Sequence, residues 1–492
     1  MINGRLKTLN EDTEKIEEEH RVIKGRAPTL SKRNILFILI SFLMIVLFYL
    51  LPTPEGLTAN GKMMIGILIM GGILWVTEPI PLAVTGLLIM IIQPILGLMP
   101  AEDVFSSFGN QAVFFLIGAF ILAGALEKHG LHKKIALKFL SHFEKNPKMF
   151  TFGVMISCAL LSFIMPEHGV AAMFLPIVTS ILIAMKITPR KSNFGIVSML
   201  SIAYGCSIGS LGTLIGGARN PLTVGMLANL EQPIIISFID WMIISMPIVF
   251  IALPIVWLIL QISYPIEIKN IAAAKTEINR QVSRSGKMGK YEIIVMCIMT
   301  FTIILWIFVS SPGYFSLAVI AILGSILLFF TGCITWKDVE QRVPWGIILL
   351  YGGAITLGVG MQKTGAGAWI AHQLFTIAGN NPYLVILGLI ILTVLLTNIM
   401  SNVGAVAILL PIGIAISTEI PGISPLLASM LIALSGGLAF MLVIATPGNA
   451  ITYSSGYFSS RNLLRVGVVA NIACIGVIFL VAVIYWKGVL GL

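Results

Sequence analysis

The sequence predicts an all-α polytopic membrane protein, with about eleven transmembrane helices and two re-entrant hairpins set in two inverted-topology repeats. Three observations lead there: the composition, the placement of basic residues, and a self-similarity at one fixed spacing. Of the 492 residues, 57% are hydrophobic and 11% charged, against roughly 25% charged in a soluble chain. Apolar runs such as 35–51 and 466–486 approach or reach the ~20 residues that span a bilayer. A barrel would show short alternating segments instead. Continuous runs read as helices, which satisfy their own backbone groups in lipid.

In chain order, spans are expected near 34–52, 62–77, 80–98 and 111–127. A basic amphipathic stretch, "EKHGLHKKIALKFLSHFEKNPK", comes next. The apolar block 149–187 is broken at Pro166 and Pro176, and spans near 194–215 and 235–262 follow it. A polar linker over 267–290 carries six Lys/Arg. The second half gives spans near 291–311, 315–332 and 345–362, then a block 383–418 broken at Ser401-Asn402 and Pro411. Spans near 425–445 and 464–486 end the chain. The domain reading is a cytosolic tail 1–33, a first span and outer loop 34–60, a first repeat 61–262, a linker 263–290 and a second repeat 291–492. The tail is polar and mixed in charge, so it reads as a tail and not as a signal peptide.

The net charge of +10 lies between the spans, which is the cytoplasmic excess of Lys and Arg and not a nucleic-acid footprint. Placing 24–33, 128–148, 186–191 and the linker inside leaves "PTPEG", "PAEDVFSSFGNQ", "NLEQP" and "SSPGYF" outside. This holds only if block 149–187 enters and leaves on the inner side and block 383–418 on the outer side. Each is then a hairpin lining a cavity. The N-terminus is placed in the cytosol and the C-terminus outside. The five cysteines are isolated, with no CxxC or zinc spacing, and read as packing residues.

Two pairs of segments align at one offset of 235 residues. "GAFILAGALEKHGLHKKIALKF" from Gly118 resembles "GAITLGVGMQKTGAGAWIAHQLF" from Gly353, and "MPEHGVAAMFLPI" from Met165 resembles "MSNVGAVAILLPI" from Met400. A shared offset argues for duplication. Copies that face opposite sides of the membrane, with interrupted helices at its midplane, mark a secondary transporter and its binding site. Each hairpin is followed by an interrupted element, "GSLGTLIGGARNPLTVG" and "VIATPGNAITYSSG". Such breaks expose backbone groups and helix-terminus dipoles that hold an anion and a cation side by side. No Walker motif is present, and no serine, cysteine or metal catalytic constellation marks a membrane enzyme.

From about residue 60 onward the sequence resembles the divalent anion:sodium symporter family, carriers of di- and tricarboxylates or sulfate. "SNVGAVAILLPI" resembles that family's Ser-Asn-Thr hairpin tip, and "ATPGNAITYSSGYFSSRNLLRVG" its Thr-Pro-Pro-Asn break. The resemblance implies a homodimer whose protomers pair a scaffold with a moving transport unit, an elevator mechanism, and substrate and sodium held by the tips and breaks. The departures are specific. Val403 replaces the Thr of the second tip, Pro166-Glu167-His168 replaces the whole first triplet, and the first break reads Gly217-Ala218-Arg219-Asn220.

A charge at the bilayer centre costs roughly 2.5–3.5 kcal/mol even on insertion scales, so Glu167 and Arg219 are expected to face each other, a cavity or a ligand. Two readings stay open: a structural ion pair, or Arg219 as a fixed charge in place of a bound sodium that balances Glu167 or contacts the substrate. Glu167 or His168 is then a candidate proton carrier. Thr397, Ser401 and Asn402, with carbonyls near Gly436 and Gly437, offer oxygens for an alkali cation, or else they cap the hairpin's short helices. Ser162 is a candidate cation ligand or a hydroxyl bonded back to its helix. Asn220, Thr446 and Asn449 sit at the breaks and are assigned to substrate or cation, and Glu167, His168, Arg219, Ser401 and Asn402 are substrate-binding candidates with them. Glu78 is expected to cap the helix after it, Asp240 and Trp241 to be interfacial, and His129 and His132 to lie on the basic surface. Lys363, at a helix end, is expected to snorkel.

The expected function is secondary transport of a small di- or multivalent anion, most simply a dicarboxylate, across the cytoplasmic membrane, coupled to a cation. Sodium at the second hairpin and a proton at the first are the coupling candidates, and no other cofactor is expected. A sodium-independent exchanger, a proton-coupled carrier and an anion channel are the alternatives.

Overall fold

The computed structural model describes residues 31–311, 313–378 and 381–491, so residues 1–30 of the expected tail lie outside the described residues. Every regular element among the described residues is a helix. The first, α1 (Lys32–Leu50), stands before a series of ten: α2 (Ala59–Thr77), α3 (Leu82–Ile95), α4 (Ala101–Ser106), α5 (Gln111–Lys128), α6 (Leu131–Leu140), α7 (Pro147–Leu161), α8 (Glu167–Ala184), α9 (Asn193–Gly209), α10 (Arg219–Ala228) and α11 (Phe238–Ser263). A linker helix α12 (Ala272–Ser285) separates them from a second ten: α13 (Lys290–Phe308), α14 (Leu317–Phe330), α15 (Trp336–Arg342), α16 (Trp345–Lys363), α17 (Ala366–Ala378), α18 (Pro382–Ile399), α19 (Asn402–Glu419), α20 (Pro425–Ser435), α21 (Pro447–Ser454) and α22 (Ser460–Leu480).

The spacing of 235 recurs through the helix starts. Leu82, Ala101, Leu131, Pro147 and Glu167 open α3, α4, α6, α7 and α8; Leu317, Trp336, Ala366, Pro382 and Asn402 open their counterparts 235 residues on. Local chemistry explains the matched boundaries. α7 and α18 both start with an Asn N-cap followed by Pro at the first helical position, where the missing N–H costs nothing. After α5 and α16 the chain turns at Gly130 (φ +68) and Gly365 (φ +73), again 235 apart, in the left-handed region that glycine tolerates.

Packing follows the same exchange. α3 packs on α16, and its counterpart α14 on α5; α8 packs on α21, and α19 on α10. The ion pair Lys128–Asp338 (2.7 Å) maps onto Lys363–Asp103 (2.9 Å) when 235 is added to Lys128 and subtracted from Asp338. Neither pair was anticipated from the sequence, where Lys363 was expected only to snorkel. α9 meets α7 through small residues. A Cβ on Gly205 or Gly209 would run into the backbone of Met155 or Ala159, so the first hairpin is held to α9 by close backbone approach.

Ten segments among the described residues are long and apolar enough to cross a membrane. They differ from the expected set. The segments near 80–98 and 315–332 form helices of 14 residues each, ended by Gly97 and Gly332 at positive φ, while three of the four hairpin helices meet the length criterion. Hairpin bounds shift slightly, to 147–184 and 382–419. Trp75, Trp241, Trp306 and Trp486 are fully buried, which corrects the interfacial expectation for Trp241. Its indole donates to Leu211 O (2.9 Å), a carbonyl that the break in α9–α10 leaves free. Asp240 closes a capping box with Ser237. Glu78 closes α2 in a left-handed conformation (φ +44), while α3 starts on Pro81 with no side-chain cap. His132 is buried, with Nδ1 3.0 Å from Leu126 O, and His129 lies 2.7 Å from Cys333 O, so neither is a free surface group.

Candidate functional site

Two tips and two breaks meet at one place. The first tip (162–166) joins α7 to α8, and the second (400–401) joins α18 to α19. The breaks run over 210–218 and 436–446. Each tip is tied to the break that follows it. Thr213 Oγ1 donates to Phe163 O (2.7 Å) and Glu167 N to Gly216 O (3.3 Å) in the first half. In the second, Thr397 Oγ1 lies 2.7 Å from Gly436 O and 2.8 Å from Asn402 Oδ1, and Met441 N donates to Asn398 Oδ1 (2.8 Å).

The break asparagines do the same work in both halves. Asn220 Nδ2 donates to Ser210 O (2.8 Å) and Thr213 O (2.7 Å). Asn449 Nδ2 donates to Ala439 O (2.8 Å) and Leu442 O (2.9 Å). Both leave Oδ1 buried without a hydrogen-bond partner, as are Ser162 Oγ and Ser435 Oγ. Ser162 is thus not bonded back to its helix. Buried oxygens of this kind call for a ligand, an ion or water. Thr446 caps α21 through Asn449 N (3.0 Å), and Ser401 caps α19 through Gly404 N (3.2 Å). Those two therefore serve the capping role, while Thr397 and Asn402 bond across to other elements.

The two halves touch each other directly. Glu167 and Asn402 occupy the same position 235 residues apart, and Asn402 Nδ2 approaches Glu167 Oε1 at 3.4 Å. Arg219, 1% exposed, starts α10 and reaches across both breaks. Its Nη2 donates to Ser210 Oγ (2.7 Å) and its Nε to Ala433 O (3.2 Å). A Cβ on Gly437 would collide with that guanidinium. Arg219 Nη1 lies 3.9 Å from Glu167 Oε2, a Coulombic contact too long to be a hydrogen bond. The pair unites the two charged residues singled out by their cost in the membrane. His168 is only half-buried and lines a cavity of about 460 Å³ at the first tip with Met165, Pro166, Glu127, Arg342 and Ile451.

Sequence reasoning missed Ser210, Thr213, Asn398 and Ala433 O. Asn398 stands in "TNIMSN" beside the recognised tip and carries the best signal of the four. Ser210 and Thr213 act through contacts made when the break folds back on Arg219 and on the first tip, nine and fifty residues away, and Ala433 acts through a bare carbonyl. No cluster of His, Cys, Asp and Glu suited to a transition metal occurs among the described residues. The neutral oxygens fit a hard alkali cation better.

Paired hairpins and interrupted helices, with buried polar groups gathered where they meet, define a multi-pass membrane transporter and not an enzyme. Residues 31–492 match the family described as the sodium:sulfate symporter transmembrane region, and the chain belongs to that family. The sodium-dependent dicarboxylate transporter SdcS of Staphylococcus saprophyticus is 31% identical over 476 residues, covering 92% of this chain and 91% of the relative. SdcS of Staphylococcus aureus is 30% identical over 469 residues, covering 90% and 89%. Among solved structures, Neisseria gonorrhoeae MtrF, from a class of antimetabolite efflux pumps, superposes with a TM-score of 0.54 at 12% identity, covering 94% of this chain and 97% of MtrF. The Alcanivorax borkumensis YdaH transporter gives 0.54 at 12% identity, covering 92% and 98%. Those two likenesses establish the fold alone.

Proposed function

We propose that this protein carries a small dicarboxylate across the cytoplasmic membrane by elevator-type alternating access, driven by sodium bound at the second tip, with Arg219 as a fixed positive charge where the first tip would hold another cation. The substrate class rests on the names of the SdcS relatives. The coupling rests on one observation: the guanidinium of Arg219 lies between the two breaks beside Glu167.

Helix termini supply the field. α8, α19, α10 and α21 begin at the tips and breaks, so their positive dipole ends converge where an anion would sit. α7, α18, α9 and α20 end there, and their carbonyl ends favour a cation. Thr397, Asn402 and Gly436 O are the sodium neighbours in this reading, and Asn449 Oδ1 is an acceptor left for the bound ligands. The two sets of ten helices are taken as inverted repeats, with the N-terminus cytosolic, the C-terminus outside and a homodimer as the working unit.

A ligand panel tests the reading. Purified protein is scanned for thermal stabilisation by succinate, citrate and sulfate with sodium, potassium and pH varied, since stabilisation follows affinity by mass action. Sodium-linked stabilisation by succinate is expected; stabilisation by sulfate alone refutes the substrate class. Counterflow in preloaded proteoliposomes is expected as well, and its absence would mark a channel. The Glu167–Arg219 pair also supports a second reading, coupling through a proton on Glu167. Glu167→Gln separates them, because the fixed-charge account predicts an unchanged pH profile of uptake.

A further inference from the structure

A second polar cavity, of about 390 Å³, lies well apart from the tips, between α6, the C-terminal half of α8, the linker helix α12 and the start of α13. The linker helix turns a whole stripe toward it. Glu277, Arg280, Gln281, Arg284 and Ser285 follow the i, i+3, i+4, i+7, i+8 pattern, and all five line the cavity. A polar stripe of this kind ordinarily faces open water, but here it faces Pro176, Ile177 and Ser180 of α8 and the basic face of α6. Gln281 Nε2 donates to Ser180 Oγ (2.6 Å), which fixes the helix against the hairpin arm.

The charges do not balance. Glu277 is held by Arg280 (2.6 and 2.7 Å) and Gln281 (2.9 Å). Glu292 is held by Lys134 (2.7 Å) and Gly289 N (2.6 Å). Both carboxylates are thereby matched, by Arg280 and Lys134. Two solvent-exposed cations, Lys133 of α6 and Arg284 of α12, line the same space with no carboxylate within 4.0 Å among the described residues, and the nearby Glu277 is already paired by Arg280. A space open to water on one side, with two more cations than carboxylates, suits an occupant with two negative charges. A phosphate monoester carries about −1.5 to −2 at neutral pH and offers three acceptor oxygens to donors arriving from different walls, whereas a carboxylate is planar and singly charged.

We propose that this cavity binds a phosphate-bearing dianion, with Lys133 and Arg284 as its charge partners. Basic pockets between helices on the cytoplasmic side take phospholipid headgroups, and a soluble phosphorylated compound presents the same chemistry. Because the walls come from both α8 and α13, an occupant braces the first hairpin against the helix that opens the second set of ten.

The test uses full-length protein in nanodiscs. In phosphatidylcholine discs, glycerol phosphate, a soluble phosphate monoester, is expected to raise the Tm, and the Lys133→Gln/Arg284→Gln double variant to weaken that binding at least tenfold, the scale of losing one charged hydrogen bond. Lys138→Gln, on α6 but outside the cavity, is expected to retain it. Replacing part of the phosphatidylcholine with phosphatidic acid, whose headgroup is a phosphate monoester, separates the sources. Loss of the glycerol phosphate response there, with a raised baseline Tm in wild type only, assigns the site to lipid; an unchanged response assigns it to a soluble phosphate. Equal stabilisation of wild type and double variant overturns the proposal, as does no stabilisation by either probe. Loss of succinate-dependent stabilisation in the double variant also overturns it, by making the cavity part of the transport route. The readout is binding, so failure of the transport reading leaves this test intact.

Discussion

The two hairpin tips are built on one plan and carry different chemistry. The second tip places Ser401 as a cap and Thr397 and Asn402 as neutral oxygens against Gly436 O. The first places Glu167 at the position of Asn402, caps its helix with Pro166 and no side chain, and meets an arginine from the break. Elsewhere the halves kept their match, down to the exchanged ion pairs Lys128–Asp338 and Lys363–Asp103. The frame is thus still twofold while the site is not. In the proposed function, the neutral oxygens of one half serve a mobile cation, and the other half has its positive charge covalently attached.

The largest expected effect comes from removing that attached charge. Arg219→Ala leaves Glu167 buried without its counter-charge and strips Ser210 Oγ and Ala433 O of their donor. Breaking a buried pair from one side costs about 3–5 kcal/mol, so a marked fall in Tm and loss of uptake are expected; near-normal uptake would remove Arg219 from the account. Gly437→Ala comes next. The added methyl meets the guanidinium, and overpacking of this kind costs about 1–3 kcal/mol. Reduced succinate affinity with normal membrane insertion is the expected outcome, read by uptake kinetics and surface expression.

Thr397→Ala probes the other tip. It removes one hydroxyl from between two acceptors, at about 1–2 kcal/mol, and is expected to weaken the apparent sodium affinity roughly tenfold. An unchanged sodium titration would leave the hydroxyl with only its structural bonds to Asn402 Oδ1 and Gly436 O. The smallest effect belongs to the shared frame. The Lys128 ammonium and the Thr335 hydroxyl hold the Asp338 carboxyl below its ordinary range. A depressed carboxylate contributes stability that is present above its unfolded pKa of about 4 and lost as the pH falls through the folded value. Asp338→Asn is therefore expected to cost about 1 kcal/mol for a partly exposed pair, with a Tm difference that stays constant between pH 5 and pH 8.

Much of this contrast was legible in the sequence. The single offset of 235 located both tips, and the helix starts and glycine turns repeat it because the same Asn-Pro and Gly signals stand at both places. Glu167 and Arg219 were conspicuous because charge is costly in lipid. Their partners were not. Ser210 Oγ, Ala433 O and the space at Gly437 belong to Arg219 only because the two breaks fold onto each other, and a carbonyl or an absent Cβ leaves no periodic trace. Trp241, expected at the interface, and His132, expected on the basic surface, were misread because each finds a carbonyl at a helix end, Leu211 O in the first break and Leu126 O in the last turn of α5. The cavity beside α12 was equally hidden, since the linker's basic residues read simply as the cytoplasmic excess.

The sodium dependence of succinate uptake in proteoliposomes tests the central claim most directly. With one set of neutral oxygens for sodium and Arg219 in place of the other cation, the initial rate is predicted to follow sodium with a Hill coefficient of about one. A coefficient of about two or more would show that Arg219 replaces no cation, and uptake indifferent to sodium would show that the second tip binds none.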